Sequence, residues 1–405
     1  MSNPISEEDL RSALANDEFV LVFQPKVSLL SGDVVGAEAL VRWQRADGIV
    51  INPDEFIPLA ERSGVLPEIT MRMLDYSVQA IVQLKSRHKG LSLSMNVTLQ
   101  DLEKGGVSQQ ISNDLKAGLI EPMDIQIEIT ESMAMSNFDR VHRDLEALSR
   151  MGIRALMDDF GTGYSSIDRL SQLPFSSLKL DKGVVKRMAT SRQNLDVVKS
   201  SISMARELRM VSIAEGVESE GAYNFLLAQG CEEAQGYWIS HPLSLQDFES
   251  FLGTNPQFEG SQIGRIHQAL LNVLHYRKSL IDAVYCYGLN AETILDSVID
   301  PEVELSARES RFGLWYYGIG QRIAELPAFR ELEQPFVALH ECGQRFMQAL
   351  QSGAAADTLH AIIEQTDVYT NQLTASLRKL ELDLLRTTIH GSQINTVSAS
   401  DHWGR

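Results

Sequence analysis

Residues 124–159 read DIQIEITESMAMSNFDRVHRDLEALSRMGIRALMDD. Two runs rich in β-branched and apolar residues, Asp124–Thr130 and Ile153–Asp158, stand on either side of an amphipathic segment, Val141–Met151. A strand pattern, a helix pattern and a second strand pattern in this order predict a βαβ unit, whose two strands run parallel. This stretch therefore predicts a parallel sheet that is covered by helices.

The same alternation recurs on both sides of this stretch, across residues 1–250. At this length, repeated βαβ units are accommodated by a closed (β/α)8 barrel of the TIM type. The first two strands are joined by Ser31-Gly32-Asp33, which is a hairpin signal, so we expect one antiparallel strand in the barrel. The other predicted strands are Phe19–Leu29, Val34–Trp43, Leu91–Val97, Ser177–Leu180, Val211–Ala214 and Glu232–Trp238.

A change of composition after Phe251 separates the C-terminal region. Residues 251–262 contain the turn-forming run GTNPQFEGS and are predicted to be a linker. We expect an all-α four-helix bundle at residues 263–390, after a barrel domain at 1–250, and a flexible tail at 391–405. The four predicted helices are Ile263–Tyr287, Glu309–Leu326, Ala328–Leu350 and Ala354–Ile389.

The bulk properties argue against several classes of function. The net charge is −18 at pH 7, whereas binding to a nucleic-acid polymer relies on clustered Lys and Arg. There is no long apolar run of the kind that crosses a membrane, and the start MSNPISEEDL lacks the pattern of a secretory signal. Cys231, Cys286 and Cys342 form no CxxC pair and are expected to be buried, reduced thiols. We therefore expect a cytoplasmic protein without membrane insertion.

Acidic and amide side chains recur at the ends of the predicted barrel strands. The carboxyl ends of such strands meet at one face, where barrels of this type place their active sites. Glu38, on the second strand, joins this group if its strand lines the same mouth. The strand-end residues are Asn96, Glu128, Asp158, Asp159, Lys179, Glu215 and Gln235.

These residue types indicate a two-metal site. Gathered carboxylates repel one another unless cations compensate their charge, and hard oxygen ligands suit Mg²⁺ or Mn²⁺ better than zinc. Two such ions can clamp the attacking and leaving oxygens of a phosphodiester. Lys179 can then neutralise charge on the phosphorane, and Glu215 can accept the proton of the attacking water. A single acidic residue at a strand end is usually solvated or caps a helix, but that explanation does not account for the whole set.

The order of these residues resembles that of a known family. Glu38-Ala39-Leu40, followed by Arg42, resembles the ExLxR signature of the EAL-domain phosphodiesterases. The resemblance covers about residues 10–250 and keeps the family's motifs in order. The other matching motifs are SMNVT around Asn96, EITE at 128–131, DDFGTGYSS at 158–166, KLD at 179–181, AEGVE at 214–218 and QGY at 235–237.

The resemblance implies catalytic roles for the matched residues. Glu215 looks like the general base or a group at the second metal, and Lys179 looks like the lysine that holds the attacking water. Glu218 and Gln235 look like residues that support them. The residues that look like metal ligands are Glu38, Asn96, Glu128, Asp158 and Asp159.

The resemblance also implies substrate contacts and an assembly. Arg42 looks like a phosphate contact and Gln24 like a guanine contact, and Asp181 and Pro242 are further candidates for the substrate site. Glu131 looks like the residue that steadies the DDFGTGYSS loop, which in this family lies near a dimer interface. The implied protein is a homodimer that hydrolyses cyclic di-GMP to linear pGpG with two Mg²⁺ or Mn²⁺ ions.

The C-terminal region resembles the zinc-binding sensor bundle of chemoreceptors (CZB), whose site uses three histidines and one cysteine. His275 and His340 match two of these histidines, but Ser310 stands where the cysteine is expected and Phe336 where the third histidine is expected. Neither replacement supplies the expected zinc ligand. The resemblance thus favours a bundle for dimerisation or signal relay, and zinc binding would need another ligand, such as Cys342 or Cys286.

Two other functions remain open on the sequence alone. A non-catalytic effector would bind cyclic di-GMP without cleaving it and would signal through the bundle. An interaction protein would use the barrel as a platform and neither bind nor cleave the dinucleotide. The complete set of strand-end carboxylates favours the enzyme over both, because a binding or scaffolding role does not require it.

Overall fold

The computed structural model describes residues 5–103, 106–161, 167–288 and 306–389. The chain forms two units, one made of Met1–Leu226 with Cys231–Phe258, and the other of Leu227–Gly230 with Glu259–Arg405. The tail predicted from Gly391 onwards lies outside the described residues, and so do residues 162–166 of the glycine-rich loop.

The first unit contains a single mixed sheet. Its strands are β1 (Phe19–Ser28), β2 (Val34–Gln44), β3 (Val50–Ile51), β4 (Ser92–Asn96), β5 (Ile125–Thr130), β6 (Arg154–Phe160), β7 (Ser177–Leu180), β8 (Val211–Ala214) and β9 (Glu233–Gln235).

Helices alternate with these strands along the chain. They are α1 (Glu7–Ala15), α2 (Pro53–Ser63), α3 (Leu66–Lys85), α4 (Leu99–Glu103), α5 (Gly106–Lys116), α6 (Glu131–Ser136), α7 (Phe138–Arg150), α8 (Ile167–Gln172), α9 (Lys182–Arg187), α10 (Arg192–Glu207), α11 (Glu220–Ala228) and α12 (Leu245–Gly253).

The sheet closes into the predicted eight-stranded barrel. The strand order is β1-β9-β8-β7-β6-β5-β4-β2-β3, and an additional pairing of β1 with β2 joins the two ends. β1 is antiparallel to both of its barrel neighbours, and the other seven barrel strands are parallel to one another. β3 is an extra strand that pairs with the end of β2, at Trp43 and Gln44. The expected barrel with one antiparallel strand is thus confirmed.

Alternation along the strands separates an apolar layer from a polar interior. On β5, Ile125, Ile127 and Ile129 are completely buried, and Gln126 and Glu128 alternate with them. Successive side chains of a strand point to opposite faces. The isoleucines therefore pack beneath the helices, and the polar side chains point into the barrel, where they can meet residues of other strands.

The segment after α12 packs against the barrel within the first unit. Phe258 N donates to Gly32 O over 2.8 Å, and the Tyr223 hydroxyl donates to Phe258 O over 2.6 Å. The rings of Trp238 and Phe258 meet edge-on, with centroids 5.8 Å apart. Part of the predicted linker is therefore held by specific contacts.

The second unit is helical, as predicted. Its elements are α13 (Gln262–Gly288), α14 (Arg311–Tyr317), a 3-10 helix (Ile319–Ile323), α15 (Pro327–Arg330), α16 (Glu333–Gln351) and α17 (Ala356–Ile389). Its core joins apolar side chains of α13, α16 and α17 to an aromatic group on α14 and α15.

The prediction of one continuous helix over Glu309–Leu326 was wrong. The helix stops at Gly318, where φ is −99° and ψ is −119°, outside the helical region. A Cβ atom at Gly318 would lie 2.4 Å from the carbonyl oxygen of Leu314, so this close turn requires glycine. Among the described helices, none combines the length and the apolar character needed to cross a bilayer.

Candidate active site

The register of the sheet brings the strand-end residues to one mouth of the barrel. Asn96 on β4 is paired with Glu128 on β5, and Thr130 on β5 is paired with Asp158 on β6. Because these strands are parallel, their carboxyl ends lie at the same edge, and the side chains there converge.

Lys179, on β7, lies among carboxylates in the barrel interior. Its ammonium nitrogen is 2.7 Å from Glu38 Oε2, 2.9 Å from Glu128 Oε2 and 3.6 Å from Asp158 Oδ1. The side chain of Lys179 is 1% exposed, so water does not screen these interactions. Lys179 therefore ties together acidic residues from three other strands.

Glu38 is held by hydrogen bonds from three strands. Besides Lys179, its Oε2 accepts from Gln235 Nε2 over 2.7 Å, and its Oε1 accepts from Asn96 Nδ2 over 2.8 Å. Gln235 also donates to Gln24 Oε1 over 3.0 Å. These bonds fix the Glu38 carboxylate and connect it to the antiparallel strand β1.

A local irregularity lets two consecutive aspartates share the site. The pairing of β6 with β7 is interrupted between Met157 and Phe160, and Asp159 has a φ of 56°, in the left-handed region. In a regular strand, neighbouring side chains point to opposite faces. Here Asp158, Asp159 and Glu215 each offer an oxygen, and these oxygens lie within 4.8 Å of one another.

The pKa values show opposite effects at the two carboxylates bound to Lys179. Burial acts to raise the pKa of Glu38, but the Lys179 charge and the hydrogen bonds to Glu38 lower that pKa to about 2. Burial and the nearby Glu38 charge raise the pKa of Glu128, despite its ion pair with Lys179. Burial opposes the Lys179 charge, yet the surrounding carboxylates raise the pKa of that ammonium group well above its usual value.

The remaining carboxylates also bind protons more readily than usual. Burial, partly offset by Lys179, raises the pKa of Asp158, and the charges of Glu38 and Asp159 raise it further. Burial likewise raises the pKa of Asp159, with a contribution from the Asp181 charge. For Glu215, burial raises the pKa to about 7, although Lys179 acts in the opposite direction. The cluster contains five carboxyl groups around one ammonium group, so acidic groups outnumber basic ones in it.

This donor set fits divalent cations. Glu128 Oε1 and Gln235 Oε1 are buried and have no hydrogen-bond partner among the described residues. A buried acceptor without a partner costs roughly 1–3 kcal/mol. Oxygen ligands with excess negative charge are what Mg²⁺, Mn²⁺ and Ca²⁺ prefer.

Of the predicted substrate residues, Arg42, Gln24 and Asp181 interact with residues of this cluster. Arg42 is half-buried on β2, its Nη1 donates to Val41 O over 2.8 Å, and burial lowers its pKa. Gln24 is buried on β1, with its Nε2 3.4 Å from Ser240 O. Asp181 caps α9 by accepting from Val184 N over 3.1 Å, and Pro242 is partly buried after β9.

Two further predicted residues have clear contacts. Glu218 is 46% exposed, and its carboxylate binds Lys186 Nζ over 2.6 Å, so it forms an ion pair with Lys186 at the surface. Glu131 is buried, and its Oε2 accepts from Gly161 N over 3.0 Å, next to the glycine-rich loop.

The barrel contains a second buried lysine, which was not predicted from the sequence. Lys26, on β1, is 1% exposed, and its ammonium group donates to Ser94 Oγ over 3.0 Å and to Gln126 Oε1 over 3.2 Å. Lys26 is two residues from Gln24 and so points to the same face of β1. The alternation of apolar and polar residues on β5 could have predicted it. Polar side chains of β5 that point into the barrel need polar partners from other strands there.

In the second unit, the residues of the degenerate zinc pattern have structural roles. Ser310 is the N-cap of α14, since its Oγ accepts from Gly313 N over 3.1 Å. Phe336 is buried, and its ring centroid is 4.4 Å from that of Phe312. His340 is buried on α16 against Tyr276, and His275 is partly buried on α13. Among the described residues, the grouped ligand atoms are those of the barrel cluster.

Comparison with known proteins identifies relatives of the barrel. The family model described as EAL domain matches residues 7–242. The bifunctional diguanylate cyclase/cyclic di-GMP phosphodiesterase MucR of Pseudomonas aeruginosa is 36% identical over 236 residues, which are 58% of this chain and 34% of MucR. The cyclic di-GMP phosphodiesterase NbdA of the same species is 34% identical over 61% of this chain and 32% of NbdA. The chain thus spans about a third of the length of these relatives.

Solved structures show the same similarity. A complex of the PaMucR phosphodiesterase with c-di-GMP has a TM-score of 0.57 and 35% identity, and covers 60% of this chain and 98% of that one. The cGMP-bound EAL enzyme Bd1971 has a TM-score of 0.58 and 25% identity, over 61% of this chain and 68% of that one.

Proposed function

This chain belongs to the EAL domain family, and we propose that its barrel is a phosphodiesterase that hydrolyses cyclic di-GMP to linear pGpG. The observation that carries the proposal is the cluster of carboxylates around Lys179 at the carboxyl ends of the strands. A cluster of this composition serves the transfer of a phosphoryl group better than it serves fold stability, because buried carboxylates are costly.

We propose that the cluster holds two Mg²⁺ or Mn²⁺ ions. When bound, such ions supply a nucleophilic water at neutral pH and offset the charge on the phosphodiester oxygens. Asp158 and Asp159 are suited to this because their carboxylates face the same side as Glu215. The proposed ligands are Glu38, Asn96, Glu128, Asp158 and Asp159.

Side chains of the protein then accept the proton of the attacking water and stabilise the negative charge that develops on the phosphorane. Glu215, whose carboxylate lies beside those of Asp158 and Asp159, accepts a proton from water as the water oxygen attacks phosphorus. One P–O bond of the ring breaks, the leaving oxygen takes up a proton, and a linear dinucleotide with a terminal phosphate results. Lys179 keeps its positive charge throughout and stabilises the charge on the phosphorane.

The other residues hold the reacting groups and the substrate. Gln235 orients the Glu38 carboxylate by a hydrogen bond and also holds Gln24 on the guanine side of the site. Arg42 contacts a phosphate of the substrate. Glu218 acts at the rim through Lys186. Asp181 and Pro242 line the substrate site, and Glu131 steadies the glycine-rich loop.

The second unit is proposed to be a CZB-like bundle that regulates the barrel and contributes to a homodimer. It does not need zinc for its fold, because Ser310 serves as a helix cap and Phe336 as a core residue. Cys231 and Cys342 are buried, and neither forms a disulfide with another described residue, which supports a cytoplasmic location.

The test is chromatography of cyclic di-GMP after incubation with the full chain. Separate samples contain Mn²⁺, Mg²⁺ or EDTA. We expect linear pGpG with either metal and unchanged substrate with EDTA. Unchanged substrate in all samples, together with tight binding of cyclic di-GMP, would instead indicate an effector that binds the dinucleotide without cleaving it.

A further inference from the structure

The last helix, α17, has two faces with the same spacing. The first face is buried in the core of the second unit, and its residues follow one another at steps of three and four, which is the spacing of a helix-packing seam. These residues are Thr366, Thr370, Leu373, Leu377, Leu380 and Leu384. Ion pairs flank this face, from Glu381 to His267 on α13 and from Lys379 to Glu331.

The opposite face of α17 repeats the pattern but is exposed. Every seventh residue along it is apolar: Ala361, Val368, Ala375 and Leu382. All four are exposed, with Val368 at 53% and Leu382 at 54%. An isolated apolar residue on a surface is ordinary, but one apolar residue in each of four successive heptads forms a stripe along one side of the helix, which supplies one of the two apolar positions of a coiled-coil heptad. We refer to this face as the outer seam.

Three residues of the outer seam lie between its apolar positions. They are Glu364, Asn371 and Arg378, each three residues after an apolar position, and all three are exposed. In the described part of the chain, neither Glu364 nor Arg378 makes an ion pair. The outer seam therefore presents one acidic and one basic side chain at equal distances on either side of Asn371.

We propose that the outer seam pairs with the outer seam of a second copy of this chain, antiparallel and centred on Asn371. In this arrangement Glu364 of each copy lies level with Arg378 of the other. Val368 lies within one residue of the level of Ala375, and Leu382 lies within one residue of the level of Ala361, an offset of about 1.5 Å. Each large side chain then faces a small one, and each charge faces its opposite, so one surface is complementary to itself, as a twofold interface requires.

A parallel pairing of the same seam is disfavoured by the same residues. In register, it would place Glu364 against Glu364 and Arg378 against Arg378, and like charges facing each other are destabilising. It would also place alanine opposite alanine and leucine opposite leucine, which leaves gaps at some levels and crowding at others. The charges therefore specify the direction of pairing as well as the partner.

This inference deepens the homodimer of the proposed function by naming its contact surface in the second unit. It does not depend on the reaction at the barrel, because neither the seam residues nor their exposure involve the carboxylate cluster. Measurement of molecular mass and of cyclic di-GMP hydrolysis on the same samples therefore separates a failure of the interface from a failure of the enzyme assignment.

Charge reversal on the full chain tests the antiparallel pairing. Glu364→Lys and Arg378→Glu each convert two attractive contacts into two repulsive ones, so each is expected to weaken the dimer at least about tenfold in Kd. The double variant restores opposite charges at both levels and is expected to recover the dimer. Sedimentation equilibrium measures the Kd, and Glu325→Lys, an exposed reversal outside α17, is the control.

Cysteine cross-linking tests the direction independently. Ala361→Cys with Leu382→Cys in one chain is expected to give a disulfide-linked dimer under mild oxidation. Each single variant is expected to remain unlinked, because antiparallel copies of position 361 lie about 31 Å apart along the helix. The chain without these substitutions is the background sample. Rapid linkage of Ala361→Cys alone, or a Kd unaffected by either charge reversal, would overturn the proposal.

Discussion

Glu38 is the residue at which the contacts of the site converge, since Lys179, Gln235 and Asn96 all donate to its carboxylate. We expect Glu38→Ala to lower the rate of cyclic di-GMP hydrolysis at least about 100-fold, because it removes a proposed metal ligand and the anchor of these three side chains. Glu38→Gln is expected to be similarly inactive, since it keeps the shape but loses the charge. Initial rates in Mn²⁺ buffer measure both.

The matched control for Glu38 is Glu121→Ala, an exposed acidic residue away from the site. This variant is expected to keep the rate of the unmodified chain. Activity retained in Glu38→Ala would contradict the proposed ligand set, because no carboxylate of similar position would remain on β2.

Lys179 differs from Glu38 in the step that it serves. Its ammonium group is paired with carboxylates and is proposed to stabilise the charge on the phosphorane. We therefore expect Lys179→Ala to reduce kcat about 10²–10³-fold and to change KM much less. Steady-state kinetics measure both parameters, and Lys116→Ala, an exposed lysine, is the control. Equal losses in kcat and in substrate affinity would show that Lys179 only positions the substrate.

At this scale, the sequence indicated which residues meet but not how each one is bonded. The positions of Asp158 and Glu215 followed from strand ends, since parallel strands place their carboxyl ends at one edge. The pairing of Glu218 with Lys186 did not follow, because an ion pair near the surface depends on side chains from separate segments. Lys26 was overlooked for a related reason, since the sequence of β1 does not reveal which side chains of other strands meet its polar residues.

Among the elements, β2 and β4 approach each other closely at Gly36. A Cβ atom at Gly36 would lie 2.2 Å from the carbonyl oxygen of Ser92. We expect Gly36→Ala to lower the free energy of unfolding by about 3 kcal/mol, because the clash is with backbone that cannot rotate away. Urea denaturation followed by circular dichroism measures the change.

The control for Gly36 is Gly253→Ala at the end of α12, where a Cβ atom would meet nothing within 4 Å. Alanine is favoured over glycine in a helix, so stability there is expected to stay the same or to rise by up to about 1 kcal/mol. A Gly36→Ala variant as stable as the unmodified chain would mean that the two strands can separate without loss of the barrel.

The elements show why hydropathy patterns predict some structures and not others. Eight strands were predicted because each carries enough apolar residues to show a pattern, but β3 has two residues, too few for any periodicity. The helix break at Gly318 was missed because the apolar spacing continues across it into the 3-10 helix. Local backbone geometry at one glycine overrode the pattern of its neighbours.

For the whole molecule, the excess of negative charge connects stability to metal binding. The net charge is −18 at pH 7, and the cluster around Lys179 is a buried part of the chain in which carboxylates gather. Ions that bind the folded barrel and not the unfolded chain stabilise it by about 2.7 kcal/mol at a concentration of 100 times Kd. For a unit of this size, such a gain corresponds to a rise in Tm of roughly 5–10 °C.

We therefore expect Mg²⁺ or Mn²⁺ to raise the Tm of the barrel transition relative to EDTA, as measured by differential scanning calorimetry. NaCl at equal ionic strength is expected to do much less, because screening acts weakly on buried charges. Asp159→Asn with Glu215→Gln should abolish the metal-dependent rise, whereas Glu121→Gln should leave it unchanged. An equal rise with NaCl, or an undiminished rise in the double variant, would place the bound ions elsewhere and remove the physical basis for a two-metal reaction at this mouth.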